Sequence, residues 1–210
     1  MMYSGERPPV LLALAQPTDR LADLLTKLVP LLPPCFYAHL SAGLEHVFTA
    51  FYQAENHGLH HKMVLARPAC LEVSNDYPVE QLTCADLDET LEFYNAAYPG
   101  HWFTARMLET GFYYGVRQGG RLVCVAGVHV FSPTFRAAAL GNIAVLPEFR
   151  GRGLATAATA HLCHALLPVV DAVGLNVKAD NAPAVACYRR LGFEWVADYT
   201  EFTFRLAQLP

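Results

Sequence analysis

Between Asn142 and Thr156 an apolar strand, a proline and a glycine-rich turn run straight into a helix, and this order constrains the fold more than any other stretch of the chain. The strand is Ile143-Ala144-Val145, closed by Pro147; Arg150-Gly151-Arg152-Gly153-Leu154-Ala155 follows, and the helix starts at once. The first turn of a helix leaves four backbone N–H groups without partners, and their partial positive charge makes that end an anion site. Gly151 and Gly153 let the backbone approach an anion without Cβ interference, Ala155 keeps the helix start close to the sheet, and Arg150 and Arg152 add charged donors. Taken by residue chemistry, the segment suits a diphosphate, with an ordinary tight turn as the bland alternative. A P-loop is excluded, because no Gly-Lys-Ser/Thr follows. A dinucleotide fingerprint needs a third glycine where Thr156 stands, and Asp171, about twenty residues on, precedes the next strand instead of ending it.

The surrounding pattern is α/β. In the N-terminal part, an apolar run from Val10 to Ala15 precedes Pro17. Thr18 or Asp19 can cap a helix carrying Leu21, Leu24, Leu25 and Leu28 at helical spacing. Pro30, Pro33 and Pro34 end that helix. Cys35 to Leu40 reads as a strand. Leu44, Val47, Phe48 and Phe51 predict a second helix, capped by Ser41, and Lys62 to Ala66 another short strand. The break between two parts falls near Ser74 to Pro78, giving a small α/β unit over 1–75 and a second domain over 76–210. That domain reads as a strand (Val79 to Leu82), a helix (Cys84 to Ala97), a short helix (Ala105 to Thr110, between Thr104 and Gly111), and two strands (Phe112 to Arg117, Arg121 to Val130) joined through Gln118-Gly119-Gly120. A strand over Ala137 to Leu146, a helix over Gly153 to Leu167, a strand over Ala172 to Val177, a helix over Pro183 to Leu191 and two closing strands, Phe193 to Tyr199 and Phe202 to Leu206, complete it.

Composition narrows the function classes. With 53% hydrophobic and 16% charged residues in 210, the chain can bury a substantial core. The formal net charge of −4 and the absence of a basic run argue against sequence-independent nucleic-acid binding. No apolar stretch reaches the ~18 residues of a membrane span, and no secretory signal is evident, so the cytoplasm is the default location. The six cysteines stand singly and read as buried, reduced thiols. His57, His60 and His61 cluster in a stretch that reads as a loop, and His161 and His164 share a helix face. Neither set has a carboxylate in a zinc spacing, so no metal is expected.

A second motif decides between the readings. Arg150, Gly153 and Ala155 fit the Arg/Gln-x-x-Gly-x-Gly/Ala pattern of the GNAT superfamily of N-acetyltransferases. Asn181, Ala184, Tyr188, Gly192 and Phe193 match its later Asn-x-x-Ala-x-x-x-Tyr-x-x-x-Gly-Phe signature. Residues from about 77 to 208 resemble that superfamily in motif order and element order. The fold so implied is a GNAT-like mixed central sheet with flanking helices, preceded by the small α/β N-terminal unit. The resemblance also implies acetyl-CoA as cosubstrate. Backbone groups of Ile143, Ala144 and Val145 would pair with the pantetheine arm. Amides of Gly151 to Thr156, including Arg152, Gly153, Leu154 and Ala155, would hold the pyrophosphate with help from Arg150, and Asn181 would contact the arm. Tyr188 would be the acid that protonates the departing thiolate, and a backbone N–H near Val145 would meet the oxyanion.

The residues agree with those roles. Pro183 suits a first helical turn and Gly192 suits C′. Ala184 and Tyr188 are i, i+4, so a small residue leaves room beneath the phenol. A phenol of pKa near ~10 keeps its proton at neutral pH and can pass it to a thiolate. The acceptor would be a small-molecule amine, an amino acid or a peptide N-terminus, and the chain a monomer or homodimer. No base transfers by motif, because the two positions where the family often carries glutamate are Asn176 and Ala139. His129 and Glu109 are the candidates, beside a water chain. Tyr94, Tyr98, His101, Trp102 and Phe103 form an aromatic patch that either covers the acceptor or fills core. A non-catalytic acyl-CoA sensor and a nucleotide-dependent oxidoreductase are the rival readings.

Overall fold

The computed structural model describes residues 1–3, 8–71 and 77–207. Its strands and helices fall into two compact units that interleave along the chain: Met1–Lys62 with Val177–Asn181 and Val196–Pro210, and Met63–Asn176 with Ala182–Trp195. The break expected near Ser74 to Pro78 lies mostly outside the described residues.

In the first unit, strands β1 (Met2–Tyr3), β2 (Val10–Ala13), β3 (Cys35–Leu40), β10 (Phe193–Leu206) and β4 (Tyr52–Leu65) stand in the order β1-β2-β3-β10-β4. Helix α1 (Asp19–Leu28) is the crossover that makes β2 and β3 parallel, in register from Val10↔Tyr37 to Ala13↔Leu40. Alternation along β3 sorts its side chains: Phe36, Ala38 and Leu40 are fully buried, while Tyr37 and His39 turn to the opposite face. Phe36 stacks on Phe204 with centroids 5.1 Å apart and meets Tyr52 edge-on at 5.2 Å, closing an apolar core with Leu25, Val29 and Phe48.

The opposite face is polar. Glu201 lies directly across from His39. Its carboxylate accepts from the Tyr199 hydroxyl at 3.0 Å and from Tyr37, with the His39 and His60 imidazoles 3.5 and 3.6 Å away. His57 Nε2 meets Thr203 Oγ1 at 2.7 Å, and His61 Nδ1 meets Asp198 at 2.6 Å. The first unit corrects three readings of the sequence. The histidines at 57, 60 and 61 sit on the fourteen-residue β4 and not in a loop. The two expected closing strands are one, because the polar break at Glu201 is partnered within the sheet. The helix expected over Leu44 to Phe51 shrinks to a 3₁₀ turn at Leu44–Val47, since Phe48 and Val47 bury without needing further turns.

The second unit holds the order β9-β8-β7-β6-β5, from Ala172–Lys178, Ala137–Val145, Arg121–Ser132, Tyr114–Gln118 and Val79–Gln81. Strands β5 to β8 are antiparallel, and β8 is parallel to β9 through helix α3 (Leu154–Leu166). Gly119 and Gly120, both at positive φ, make the two-residue turn between β6 and β7. Seven successive residues of β7, Leu122 to Val128, are buried, as expected of a strand covered on both faces. Helix α2 (Leu87–Ala97) begins after a capping box between Thr83 and Asp86 and buries Phe93, Tyr94 and Ala97. The short helix expected over Ala105 to Thr110 is a 3₁₀ segment.

Helix α4 (Ala182–Arg190) ends at Gly192, whose φ is +90° and where a Cβ would lie 2.2 Å from the Arg67 carbonyl oxygen. The Gly192 carbonyl in turn accepts from Ala66 and Arg67, each at 3.1 Å, so the close approach needs glycine on two counts. All six cysteines are free, but only Cys124 and Cys163 are buried, and Cys84 is exposed; the reading of all six as buried thiols was too broad.

Candidate active site

Strand β8 leaves its parallel neighbour early. Its ladder with β9 ends at Leu140↔Leu175, while β8 runs five residues further, to Val145. Leu146 N–H donates to Val123 O across β7 at 3.0 Å. By the alternation of a pleated strand, the N–H and C=O of Val145 therefore point away from β7, to the side that β9 has vacated. The Val145 carbonyl accepts from Arg150 Nε at 3.2 Å, and Arg150 Nη2 donates to Ala97 O at 3.3 Å. Arg150 thus pins the strand end and the turn together, a task the motif alone did not reveal.

The turn itself presents amides. Gly151 and Gly153 have φ of 75° and 82°, and a Cβ on either would meet nothing within 4 Å. Gly153 is the N-cap of α3 and supplies no side-chain cap. The first intrahelical bond is Ala157 N–H to Gly153 O, so the amides of Leu154, Ala155 and Thr156 lie ahead of the ladder. No acidic side chain sits in the first turn of α3. Arg152 is exposed, with its guanidinium over the Phe149 ring at 5.2 Å and Nη2 on Glu148 O at 3.0 Å. The Tyr77 hydroxyl holds the Arg152 carbonyl at 2.6 Å and so keeps the loop's peptide planes in orientation.

Two bulges mark the middle of β8. The pairs Val125↔Ala144 and Gly127↔Gly141 differ by two residues on β7 and three on β8, and Asn142, at φ 53°, is the non-glycine at positive φ in that interval. The pairs Val128↔Leu140 and Val130↔Ala139 differ the other way, which makes His129 an extra residue on β7. The two extra residues are bonded to each other: His129 Nε2 lies 2.9 Å from Asn142 Oδ1. Asn142 is 4% exposed, and its Nδ2 donates to the Tyr113 hydroxyl at 3.0 Å and to Met107 Sδ at 3.3 Å. Its carbonyl accepts from the Tyr94 hydroxyl at 2.6 Å. Glycines make this possible, since a Cβ at Gly127 would strike the Tyr113 ring at 2.2 Å and one at Gly141 the His129 ring at 2.3 Å. Sequence reasoning missed Asn142, Tyr113 and Tyr94 as a group; the available signal was a pair of glycines and an asparagine inside apolar strands.

Tyr188 is 8% exposed, on α4, with its ring edge-on to Phe193 at 6.0 Å. Among the described residues its hydroxyl has no hydrogen-bond partner, and burial pushes its pKa well above the usual phenol value. The preceding Cys187 meets Thr156 Oγ1 at 3.2 Å, which docks this helix against the first turn of α3. Asn181 belongs to the first unit, at the turn before α4, with its N–H on Lys178 O at 3.0 Å. The aromatic patch divides: Tyr94 and Phe103 are buried, whereas Tyr98 and Trp102 are about half exposed. Glu109 is exposed, and His164 Nε2 lies 3.1 Å from the Leu71 carbonyl.

The strand, glycine turn and helix carry the motif on which the GNAT resemblance rests, and residues 75–193 match the acetyltransferase (GNAT) family. The chain belongs to that family. Over 102 residues, 45% of this chain, it is 38% identical to the mycothiol acetyltransferase of Saccharomonospora viridis, and the match spans 32% of that relative's length. Among solved structures, a GNAT-family protein of Novosphingobium aromaticivorans is similar with a TM-score of 0.66 at 22% identity, over 88% of this chain and 81% of that one. A Drosophila protein reaches 0.71 at 14% identity, over 94% and 71%. These structural likenesses establish the GNAT fold of the central sheet and its flanking helices.

Proposed function

We propose that this GNAT protein transfers an acetyl group from acetyl-CoA to a primary amine, in a small molecule, an amino acid or a peptide N-terminus. The observation that carries the reading is the run of amides from Gly151 to Thr156. It opens α3 with no acid in the first turn and room where side chains would otherwise stand. These donors suit a diphosphate, and a diphosphate at a helix N-terminus is held by partial charge and hydrogen bonds together. The outward edge of Ile143 to Val145 suits an extended pantetheine arm laid beside it as a strand. For Asn181 the support is the sequence signature alone.

Acetyl-CoA would supply the acyl group already activated as a thioester. The chain's own residues supply position and protons. Val145 N–H, on the vacated side of β8, is a donor for the oxyanion, and one such donor is typically worth about 3 kcal/mol. Tyr188 is assigned the acid, because a buried phenol without another partner keeps its proton until a thiolate forms beside it. The absence of the family's frequent glutamates, at Asn176 and Ala139, is the one observation favouring a sensor that binds acyl-CoA without turning it over.

The test is calorimetric titration with CoA and with NAD(P), followed by thiol release from acetyl-CoA against a panel of alkyl amines, amino acids and short peptides. CoA binding with amine-dependent thiol release is the expected result. CoA binding with no release above hydrolysis would establish the sensor, and binding of NAD(P) in place of CoA would overturn both.

A further inference from the structure

Resting on the acyl-transfer reading, we infer that His129 is the base of this site, receiving the amine's proton on Nδ1 while Nε2–H is anchored to the bulge residue Asn142. An alkyl amine arrives as ammonium at neutral pH, so a proton must leave before nitrogen can attack.

The orientation of the imidazole follows from a chain of hydrogen bonds with one consistent direction. The Tyr113 hydroxyl donates to Val128 O at 3.0 Å, so its oxygen must accept from Asn142 Nδ2. That fixes the Asn142 amide with Nδ2 toward Tyr113 and Oδ1 toward His129. Oδ1 can only accept, so His129 Nε2 carries the hydrogen and Nδ1 carries the lone pair. The titratable groups facing this chain are Tyr113, which burial pushes up to about 12, and Tyr94, which burial raises well above the usual phenol value; both stay neutral through the working range. Neither can reverse the direction of the bonds by ionising.

Placement follows from the two bulges. The His129 ring lies over Gly141, the first residue of β8 past its last pair with β9. The base therefore overhangs the point where the two strands part, beside the edge assigned to the acyl-bearing arm. His129 is exposed, although the seven strand residues before it are buried, so its open ring face meets solvent and an incoming acceptor. A bulge is a recurrent way to re-aim a side chain beside an active site.

The step balances. Nδ1 takes the ammonium proton; the nitrogen lone pair forms the N–C bond; the C–S bond breaks; and the thiolate takes the Tyr188 proton. The amide nitrogen loses its second proton to solvent, and His129⁺ and the Tyr188 phenolate are reset by proton exchange.

Two measurements test this. The first compares wild type with His129→Gln and His129→Ala in thiol release from acetyl-CoA, using whichever panel amine the wild type accepts. Expected are a kcat about 100-fold lower for H129Q, CoA affinity within about twofold, a much smaller loss with methoxyamine, which is unprotonated at neutral pH, and partial rescue of H129A by added imidazole. The second is the ¹⁵N NMR tautomer of His129 in the wild-type protein, which does not depend on any variant folding. The expected form carries hydrogen on Nε2. An unchanged kcat in H129Q, or hydrogen on Nδ1, overturns the assignment to His129 and leaves acyl transfer standing. A wild type that binds CoA yet releases thiol with no amine removes the acyl-transfer reading and the base with it.

Discussion

The chain builds a strand–helix–parallel strand crossover twice, and the two turns that open the helices are chemically opposite. Between β2 and α1 the chain runs Leu14-Ala15-Gln16-Pro17-Thr18. Ala15 N–H donates to Ser41 Oγ at 3.0 Å, Ser41 N–H returns to Ala13 O at 3.1 Å, and Pro17 has no N–H to offer. Asp19 places its own carboxylate in the first turn of α1. The parallel ladder reaches the last residue of both strands. Between β8 and α3, by contrast, two left-handed glycines open the turn, no acid stands in the first turn, and the ladder stops at Leu140↔Leu175. The first crossover bonds the Ala15 amide within the fold and sets an acid at the start of its helix, whereas the second has no acid there and no side-chain cap. The same crossover can therefore carry different turns; the distinguishing residues are Gly151 and Gly153 on one side, and Ser41, Pro17 and Asp19 on the other.

That contrast can be attacked in order of effect. Gly153→Val forces a β-branched residue to φ 82° and should pull at least two amides off the diphosphate. At ~1.5–3 kcal/mol for each charge-assisted bond, CoA binding should weaken about 100-fold or more by calorimetry, while Gln16→Ala in the other turn leaves it within about twofold. Equal effects from both substitutions would break the comparison. Tyr188→Phe keeps the ring against Phe193 and removes the proton; turnover should fall about 100-fold with CoA affinity unchanged. Unaltered turnover would take the acid role from Tyr188.

Ser41→Ala, at a residue 7% exposed, orphans the Ala15 N–H and should lower the unfolding free energy by about 1 kcal/mol in urea titrations, with CoA affinity untouched. The smallest effect is one of pH. Burial lowers the His39 pKa, with the Glu201 carboxylate opposing it. The unfolded chain thus binds the extra proton first, so stability is complete above the unfolded histidine value of ~6.5 and is lost as pH falls through the lower folded value. Urea midpoints should drop on acidification below about pH 6.5, less steeply in His39→Gln.

Much of this was legible, for identifiable reasons. Elements whose apolar residues recur with one period, such as α1, β3, α3 and β9, were found within a few residues because burial itself sets that period. The glycine turn and the Asn181-to-Phe193 signature were legible because backbone conformation there demands particular residues. What escaped was set by long-range pairing. Only the end of β4, from Lys62, reads as a strand in the sequence; the part before it carries Glu55, Asn56, His57, His60 and His61, with little apolar patterning to betray a strand, and is held by partners on β10 some 140 residues away. Glu201 looked like an interruption because its phenol and imidazole neighbours are unreadable locally. The left-handed Asn142 has no local signature either, since its conformation answers to Tyr113, Tyr94 and His129, each distant from it in the chain.

The paired insertions at 129 and 142 also carry a consequence for how such a sheet can change. Because each offsets the other, the inward and outward sides of β7 and β8 agree again on both flanks. Losing either residue alone would invert the facing of every side chain beyond it. Losing both would restore a regular ribbon with a sound interior and no overhanging imidazole, so these two positions can be gained or shed only as a couple.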